Sequence, residues 1–514
     1  MKRLYSVFAL VLLSFFSQAQ ALKEQQIDSL VNQVLKTFNV PGIALGIVKD
    51  GEIILAKGYG VRSINSKEPV TANTNFGIAS NSKAFTTTAL GILVDEGKLN
   101  WDDFVQKYIP EFKLYDPYVS AHFTIRDLLT HRSGLGLGAG DLMVWPDGHD
   151  FTPKDIIHNL QYLKPVSEFR TKYDYDNLLY IVAGEVIERV SGKSWTTFIQ
   201  ERILTPLKMT NSAPTLSLLD PELEVIDAHV PIDGKLEVIN KYSNTILDAA
   251  GGIYSNVNDL TKWVNLQLNN GKVDDKVIIS EKQAKALKTP QTIMPIATRP
   301  PYNSLFANYG LGFRLVDVAG KLEVSHTGGL EGIVTQITML PQLNLGIIVL
   351  TNQQQGEAFL TITNTIKDSY LGIPNQNWLD FYTKNLNNKV ESADSITNAV
   401  WKTVELHKKQ KNSPHLQEQL IGTYKDNWFG DVLISKKGNS LVFASKRSPQ
   451  LTGELLYYKN NSYVVRWNNR YFHADAFVHL IVDQNKIQGF TMLPISPLTD
   501  FSYDFQDLSF SKLQ

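Results

Sequence analysis

Strand-forming segments frame a mainly helical stretch in the first 370 residues, and this arrangement limits the folds open to the chain. Near the N-terminus, two apolar runs flank Asp50-Gly51, a pair that favours a tight hairpin turn. Two further apolar runs cover residues 333–339 and 345–350, whereas residues 102–215 read as mostly helical. We therefore predict an α+β fold, an α/β sandwich in which one antiparallel sheet joins the N- and C-terminal strands, with flanking helices and an inserted helical lobe.

The last hundred residues have a different character. Short apolar runs recur between turn signals in residues 415–514, which predicts a small all-β barrel or sandwich. Residues 374–414 are polar and rich in Asn and Lys, and they read as a connecting segment with a helix around 395–409.

The N-terminus has the features of a cleavable signal peptide. Lys2 and Arg3 precede an apolar run over residues 4–16, and residues 19–21 form an A-x-A cleavage site. We expect residues 1–21 to be removed and the protein to be periplasmic or secreted; an uncleaved anchor is the alternative. We find no later run that is long and apolar enough for a membrane helix.

Composition excludes several classes of function. Lys and Arg number 50 against 51 Asp and Glu, a net charge of −1 that gives no support for nucleic-acid binding. The chain has no cysteine, which excludes disulfides and thiol catalysis. Its ten histidines show no H-E-x-x-H or similar metal-ligand spacing, and we expect neither a metal nor another cofactor.

A serine and a lysine three residues apart give the first chemical signal. Ser80 and Lys83 directly precede an apolar run that favours a helix, so they would share one helix face. The lysine amine could then activate the serine hydroxyl as a nucleophile, and the helix start offers backbone N–H groups to an oxyanion. The same spacing recurs at Ser509 and Lys512, where no helix follows, and we assign no function to that copy.

Tyr175-Asp176-Asn177 extends this signal. A tyrosine can shuttle protons if a nearby cation lowers the pKa of its phenol, and Lys83 is the obvious cation. Asn177 could hydrogen-bond both Lys83 and a substrate amide. Tyr242 and Tyr458 begin the same Y-x-N pattern, but only Tyr175 precedes an apolar helix and lies between the other two motifs.

His326-Thr327-Gly328-Gly329 is the third motif, on a predicted strand that enters a glycine-rich turn. The histidine can be neutral or charged near pH 7. The threonine hydroxyl can bind a substrate carboxylate or carbonyl. The glycines permit close approach of backbone and substrate, and the Gly329 N–H could complete an oxyanion hole.

With these three motifs in this order, the sequence resembles the serine β-lactamase and penicillin-binding-protein superfamily, specifically its class C-like branch of D-amino-acid-specific peptidases, esterases and class C β-lactamases. The resemblance covers roughly residues 25–370. Three further stretches support it: Phe76-Gly77-Ile78-Ala79, residues 128–135, and residues 250–255.

The resemblance implies a β-lactamase/transpeptidase-like fold and a role for each matching residue. Ser80 would be the acylated nucleophile, and Lys83 and Tyr175 the base and proton relay, with the identity of the base left open. The backbone amides of Ser80 and Gly329 would form the oxyanion hole. The substrate-binding residues would be Asn177, His326, Thr327, Gly328 and Gly329.

Two departures from the family pattern lower the expectation of strong β-lactam turnover. His326 stands where class C β-lactamases usually have lysine, and Asp176 would sit near the mouth of the cleft. A loop over residues 134–150, with Trp145, is expected to wall the substrate cleft.

The predicted organisation is a signal peptide (1–21), a β-lactamase-like serine hydrolase domain (22–373), a linker with a helix (374–414) and a lipocalin-like accessory barrel (415–514). The predicted function is hydrolysis of an amide or ester in a small or peptide-like substrate, with cell-wall compounds among the candidates. A D-amino-acid or peptidoglycan-type peptidase or an esterase leads; a true β-lactamase and a non-catalytic binding protein are the alternatives. The oligomeric state stays open.

Overall fold

A computed structural model describes residues 21–296, 298–410 and 417–513. The predicted signal peptide lies outside them except for Ala21. Within the described ranges, no helix is long and apolar enough to cross a membrane.

The first unit is built on one large antiparallel sheet. Its strands and those of three two-stranded sheets are β1 Gly42–Lys49, β2 Glu52–Gly60, β3 Phe76–Gly77, β4 Ala228–Ile232, β5 Lys235–Ile239, β6 Tyr254–Ser255, β7 Lys272–Val273, β8 Lys276–Val277, β9 Thr292–Met294, β10 Ala307–Tyr309, β11 Arg314–Val318, β12 Lys321–Leu330, β13 Ile333–Leu340 and β14 Leu345–Thr351. The large sheet has the order β2-β1-β14-β13-β12-β11-β10-β9, and β3 pairs with β6, β4 with β5, and β7 with β8.

Pairing of β1 with β14 confirms the predicted closure of the sheet by its N- and C-terminal strands. The β1–β2 hairpin turns at Asp50 and Gly51, whose φ angles are 54° and 86°. Both values are positive, as a type I′ turn requires, and this explains why an Asp-Gly pair stands between the two strands.

Helices cover both faces of the sheet and form the lobe beside it. They are α1 Glu24–Thr37, α2 Ser82–Asp95, α3 Pro117–His122, α4 Ile125–Leu128, α5 Pro153–Asn159, α6 Leu178–Ser191, α7 Trp195–Ile199, α8 Asp248–Gly251, α9 Val257–Leu268, α10 Glu281–Leu287, α11 Gly356–Leu371 and α12 Trp378–Lys409. Helices α1 and α11 bury apolar side chains against one face of β1 and β14, and α9 packs on the other face. This is the predicted sandwich.

Helix α12 is longer than the sequence predicted: it begins at Trp378, not near residue 395. The segment is polar because only one narrow side of the helix is covered, by residues such as Ala393, Val400 and Val404. At its start the Trp378 indole donates to Asp368 at 2.7 Å, which ties the helix to α11. A polar, amphipathic helix of this kind is easily read as a connector.

The C-terminal unit is a closed antiparallel barrel. Its strands follow one another around the barrel, and the last pairs with the first. They are β15 Gly422–Asp426, β16 Gly430–Lys437, β17 Ser440–Ser445, β18 Thr452–Lys459, β19 Ser462–Trp467, β20 Ala476–Asp483, β21 Lys486–Pro494 and β22 Ser509–Lys512. Aromatic rings such as Phe443, Trp467 and Phe490 contact one another within its buried core.

Candidate active site

Ser80 lies on a short 3-10 turn, Ala79–Asn81, that leads into α2. The preceding residue, Ala79, has a φ of 51°, a left-handed conformation that costs a non-glycine residue on the order of 1–3 kcal/mol. The side chain of Ala79 is fully buried, so core packing holds the strained turn in place. Strain of this kind concentrates at functional sites, and here it presents the hydroxyl of Ser80.

The Lys83 ammonium is buried one helical turn behind Ser80. Its Nζ lies 3.2 Å from Ser80 Oγ, 2.7 Å from Asn177 Oδ1 and 3.0 Å from the Ala250 carbonyl oxygen. Burial lowers the pKa of Lys83 to about 7, although the nearby carboxyl groups of Asp141 and Asp176 oppose the shift. A substantial fraction of the lysine is therefore the neutral amine at neutral pH, the form that can accept a proton.

Tyr175 contacts the same lysine, whose Nζ lies 4.9 Å from the centre of its ring. Burial nevertheless raises the pKa of the phenol above its usual value, and a hydrogen bond with Ser80 only partly offsets this. The pKa of the tyrosine is therefore not lowered as expected, because desolvation outweighs the hydrogen bond with Ser80 and the charge of Arg314. The phenol stays protonated and can donate.

Asn177 and Asp176 stand at the start of α6. Asn177 accepts from Lys83 through Oδ1 and donates from Nδ2 to Asp141 Oδ2 at 2.8 Å. Asp176 is fully buried and accepts from the Leu179 N–H at 3.2 Å. The expectation that Asp176 sits near the cleft mouth is therefore wrong: its carboxyl group satisfies the start of the helix, and burial raises its pKa to about 7.

His326 is buried beneath the cleft surface, with 2% of the residue exposed. Its Nδ1 lies 2.6 Å from the Thr327 carbonyl oxygen and its Nε2 2.9 Å from the Tyr309 hydroxyl. Burial lowers the pKa of the imidazole well below its usual value, so Nδ1 donates and Nε2 accepts. The structure thus gives this neutral histidine a part in fixing the strand, and it is not among the described residues that line the cleft over Ser80.

The remaining motif residues bring β12 alongside the turn that carries Ser80. A Cβ on Gly328 would lie 2.2 Å from the Ile78 carbonyl oxygen, so only glycine allows this approach. Gly329 is exposed and a Cβ there would meet nothing within 4 Å. Thr327 accepts from Arg314 Nη1 at 3.4 Å.

A cleft of about 180 Å³ opens over Ser80. It is lined by Ser80, Val144, Trp145, Tyr173, Tyr175, Asn177, Leu247, Gly251, Arg314, Thr327, Gly329, Leu330, Gln354, Asp500, Phe501 and Ser502. Trp145 is among them, as predicted for the loop over residues 134–150. The competing tyrosine, Tyr242, instead donates to the Val144 carbonyl oxygen at 2.8 Å, and Tyr458 belongs to a barrel strand.

Sequence reasoning missed three groups of the site. Asp141 belongs to no recognised sequence motif, and neither does Arg314, the first residue of β11. Residues 500–502 belong to the barrel, more than 400 residues from Ser80 in the chain, and no local pattern links them to it. The second S-x-x-K copy, at Ser509, forms part of β22, and an extended strand does not place i and i+3 on one face.

Within the described residues, no group of three or more His, Asp or Glu side chains is placed to hold a metal ion. The chemistry available at the site comes from a hydroxyl, an amine, a phenol and backbone N–H groups.

Comparison with known proteins identifies the family. The family model described as Beta-lactamase matches residues 27–370, and the chain belongs to this family. A second model, described as a domain of unknown function (DUF3471), matches residues 406–512. The family match and the fold together define the chain as a β-lactamase-related protein.

Two relatives show the level of sequence identity between this chain and known members of the family. The chain is 28% identical over 387 residues to the unguisins hydrolase ungD of Aspergillus violaceofuscus, a match covering 69% of this chain and 66% of that protein. It is 29% identical over 334 residues to protein flp of Staphylococcus aureus, covering 64% of this chain and 63% of that protein. The chain thus spans less than two thirds of the length of each relative.

The octameric penicillin-binding protein homologue from Pyrococcus abyssi has a similar structure. The TM-score is 0.62 at 23% identity, with 96% of this chain and 100% of that chain covered. This likeness confirms the predicted fold over both units, since it extends through the C-terminal barrel.

Proposed function

We propose that this protein is an exported hydrolase that cleaves an amide or ester bond through a covalent acyl-enzyme on Ser80. The observation that carries the proposal is the 3.2 Å contact between Lys83 Nζ and Ser80 Oγ inside a buried site. Burial lowers the pKa of Lys83 to about 7, so an amine able to act as a base lies within reach of the hydroxyl.

In the first step, Lys83 Nζ takes the hydroxyl proton while Ser80 Oγ attacks the carbonyl carbon of the substrate. The carbonyl oxygen becomes an oxyanion, stabilised by the backbone N–H groups of Ser80 and Gly329. Lys83 suits the role of base better than Tyr175, because burial favours the neutral form of both groups. The neutral amine accepts a proton, whereas the neutral phenol donates one.

The tetrahedral intermediate then collapses and the bond to the amine or alcohol breaks. The leaving group receives the proton held by Lys83, relayed through the Tyr175 hydroxyl. In the second half, a water molecule gives a proton to the same base and its oxygen attacks the acyl-Ser80 ester. Collapse of that intermediate frees the acid and returns the proton to Ser80.

Arg314 indicates a substrate that carries a carboxylate. Its side chain lines the cleft and reaches Thr327, yet no Asp or Glu pairs with it among the residues that the structure describes. Its Nε has no hydrogen-bond partner there. A partly buried guanidinium without a counter-ion loses solvation that nothing replaces, and a substrate carboxylate would supply two acceptors in matching geometry.

This requirement fits a peptide of the D-amino-acid or peptidoglycan type better than a simple ester. A cell-wall-derived substrate would also agree with export through the N-terminal segment. β-Lactams carry a carboxylate as well, so turnover of penicillin is the second candidate, and Thr327 with Arg314 is the observation that favours it.

The test is intact-protein mass spectrometry after incubation with a fluorophosphonate and, separately, with a penicillin. We expect one fluorophosphonate adduct on the wild type and none on Ser80→Ala. Ser509→Ala, which alters the second S-x-x-K copy, is the matched control and should be labelled like the wild type.

The penicillin arm distinguishes the substrate classes. A long-lived penicilloyl adduct would indicate a peptidase, and rapid loss of free penicillin a β-lactamase. An adduct with fluorophosphonate alone would favour an esterase. Equal labelling of wild type and Ser80→Ala, or no labelling of either, would contradict the mechanism and leave a binding protein as the better description.

A further inference from the structure

The C-terminal barrel reaches into the cleft of the hydrolase unit. Its loop between β21 and β22 places Asp500, Phe501 and Ser502 in the cleft lining with Ser80. The Phe501 ring meets the Tyr175 ring edge-on, with centroids 5.8 Å apart. We refer to residues 500–504 as the barrel loop.

The hydrolase unit is shaped to receive this loop. A Cβ on Gly138 would lie 2.6 Å from the Phe501 carbonyl oxygen, and Gly138 has a positive φ of 70°. The Gly138 N–H donates to the Tyr175 carbonyl oxygen at 2.8 Å. The segment under the barrel loop is therefore bonded directly to the backbone of the site tyrosine.

A chain of buried hydrogen bonds connects the barrel loop to the catalytic lysine. Ser502 Oγ donates to Asp141 Oδ2 at 3.0 Å, and Asn177 Nδ2 donates to the same oxygen at 2.8 Å. Asn177 Oδ1 then accepts from Lys83 Nζ at 2.7 Å. Each of these four side chains belongs to a buried residue.

Asp504 fixes the backbone on both sides of Asp141. Its Oδ2 accepts from the Gly140 N–H at 2.6 Å and its Oδ1 from the Leu142 N–H at 3.0 Å. The barrel loop thus holds Asp141 twice, by the side chain through Ser502 and by the backbone through Asp504.

Asp141 in turn sets the direction of the Asn177 amide. Asp141 Oδ2 accepts from Asn177 Nδ2, and this selects the orientation of the amide in which Nδ2 faces Asp141 and Oδ1 faces Lys83. The reverse orientation would point two donors at each other beside Lys83. Asp141 has no hydrogen-bond partner on Oδ1 in the described structure, so the Ser502 hydroxyl is one of two side-chain donors that restrain its carboxyl group.

We propose that the barrel loop is a working part of the active site and that Ser502 is a positioning residue, which holds Lys83 against Ser80 through Asp141 and Asn177. The inference rests on the proposed acyl-enzyme function. It assigns the C-terminal unit a part in the chemistry: the hydrolase unit supplies the reacting groups, and the barrel fixes their geometry.

The test compares Ser502→Ala with Ser496→Ala in the full-length protein. Ser496 belongs to the same connection, but among the residues that the structure describes its Oγ accepts from the Leu498 N–H of the barrel itself and hydrogen-bonds to no group of the hydrolase unit. Misplacing a catalytic group by about 1 Å can cost up to about 10²-fold in rate. For Ser502→Ala we expect a roughly tenfold fall in the rate of fluorophosphonate labelling and in kcat for a p-nitrophenyl ester, with KM changed less than about twofold.

Rescue separates positioning from simple destabilisation. Ser502→Thr keeps the hydroxyl and should recover most of the lost rate, and Ser496→Ala should match the wild type. A Ser502→Ala protein that is labelled at the wild-type rate would overturn the proposal.

A crystal structure of Ser502→Ala provides a readout that does not depend on activity. We expect a rotated Asp141 carboxyl group or a longer contact between Asn177 and Lys83. An unchanged contact would contradict the positioning role. Absence of labelling in the wild type would instead count against the acyl-enzyme mechanism, and the crystal structure would still decide whether Ser502 positions Lys83.

Discussion

At the scale of single residues, the pKa of Lys83 is set by a balance between burial and the charges of its neighbours. Desolvation penalises its ammonium form, while Asp141 and Asp176 favour it. Burial raises the pKa of both carboxyl groups as well, which weakens their opposition to the shift. The lysine is left with a pKa of about 7, where a base is most useful at neutral pH.

We therefore predict that the rate of Ser80 labelling by a fluorophosphonate rises with pH and levels off above a midpoint near 7. Only the neutral amine can take the serine proton, so the rate should fall about tenfold for each pH unit below the midpoint. The measurement is the second-order labelling rate between pH 5.5 and 9.

Lys83→Arg is the companion variant, because a guanidinium stays charged throughout this range. It should be labelled about 10²- to 10⁴-fold more slowly than the wild type at pH 8. A flat wild-type profile, or a Lys83→Arg protein of normal reactivity, would rule out Lys83 as the base.

The sequence predicted the residues of the site that are linked by local spacing. Ser80 and Lys83 are one helical turn apart, and Asn177 precedes an apolar helix. Arg314 and Asp141 were not predicted, because only tertiary contacts bring them to the site. The predicted placement of Asp176 was wrong for the same reason. An acidic residue beside a cleft is expected to be exposed, but the Asp176 side chain is buried and accepts from the Leu179 N–H at the start of α6.

At the scale of secondary-structure elements, the neighbouring strands β12 and β13 both contact the turn that carries Ser80. Thr335 on β13 donates to the Ile78 carbonyl oxygen at 2.9 Å and accepts from Asn81 Nδ2 at 2.9 Å. Gly328 lies between these groups, with room for a hydrogen atom only. The sheet therefore contacts and supports the turn that carries Ser80.

We predict that Gly328→Ala separates β12 from this turn. The new Cβ would lie 2.2 Å from the Ile78 carbonyl oxygen and 2.6 Å from Thr335 Oγ1, so the backbone must move. Overpacking of this kind costs about 1–3 kcal/mol, and the displaced hydroxyl should react at least about tenfold more slowly with a fluorophosphonate.

Gly329→Ala is the matched stability control, because its Cβ would meet nothing within 4 Å. Thermal unfolding of the two variants should differ, with Gly329→Ala within about 0.5 kcal/mol of the wild type. Wild-type stability and labelling in Gly328→Ala would show that the close approach is not required.

Elements with strong local signals were predicted well from sequence. The Asp50-Gly51 turn defined the first hairpin, and both residues take the positive φ angles that such a turn needs. The start of α12 was missed because polar residues on its exposed side outnumber those of its narrow apolar stripe.

At the scale of the whole molecule, the two units share polar contacts that are unusual for a loosely tethered accessory domain. Arg447 of the barrel lies 3.9 Å from the centre of the Phe151 ring and donates to Asp150 at 2.7 Å and to Asp155 at 3.1 Å. On the other side of the interface, Asp504 accepts two backbone N–H groups of the hydrolase unit.

We predict that Asp504→Asn weakens the association of the two units. An amide can accept with one oxygen only, so one of the N–H groups at Gly140 and Leu142 would lose its partner in a buried place. Such a loss costs about 1–3 kcal/mol. Calorimetry should show a lower melting temperature, with barrel and hydrolase transitions that separate.

Asp483→Asn offers a control on the same barrel, because Asp483 is exposed. It should melt within about 0.5 kcal/mol of the wild type. If Asp504→Asn and Asp483→Asn unfold alike, the buried carboxyl group does not hold the units together.

The position of the barrel loop along the chain has a consequence for the timing of synthesis. A ribosome makes Ser80 first, and Ser502 and Asp504 follow more than 400 residues later. If the barrel loop completes the site, the protein acquires a finished catalytic centre only after the barrel has been synthesised. Until then the nascent chain would lack the contacts that hold Lys83 against Ser80.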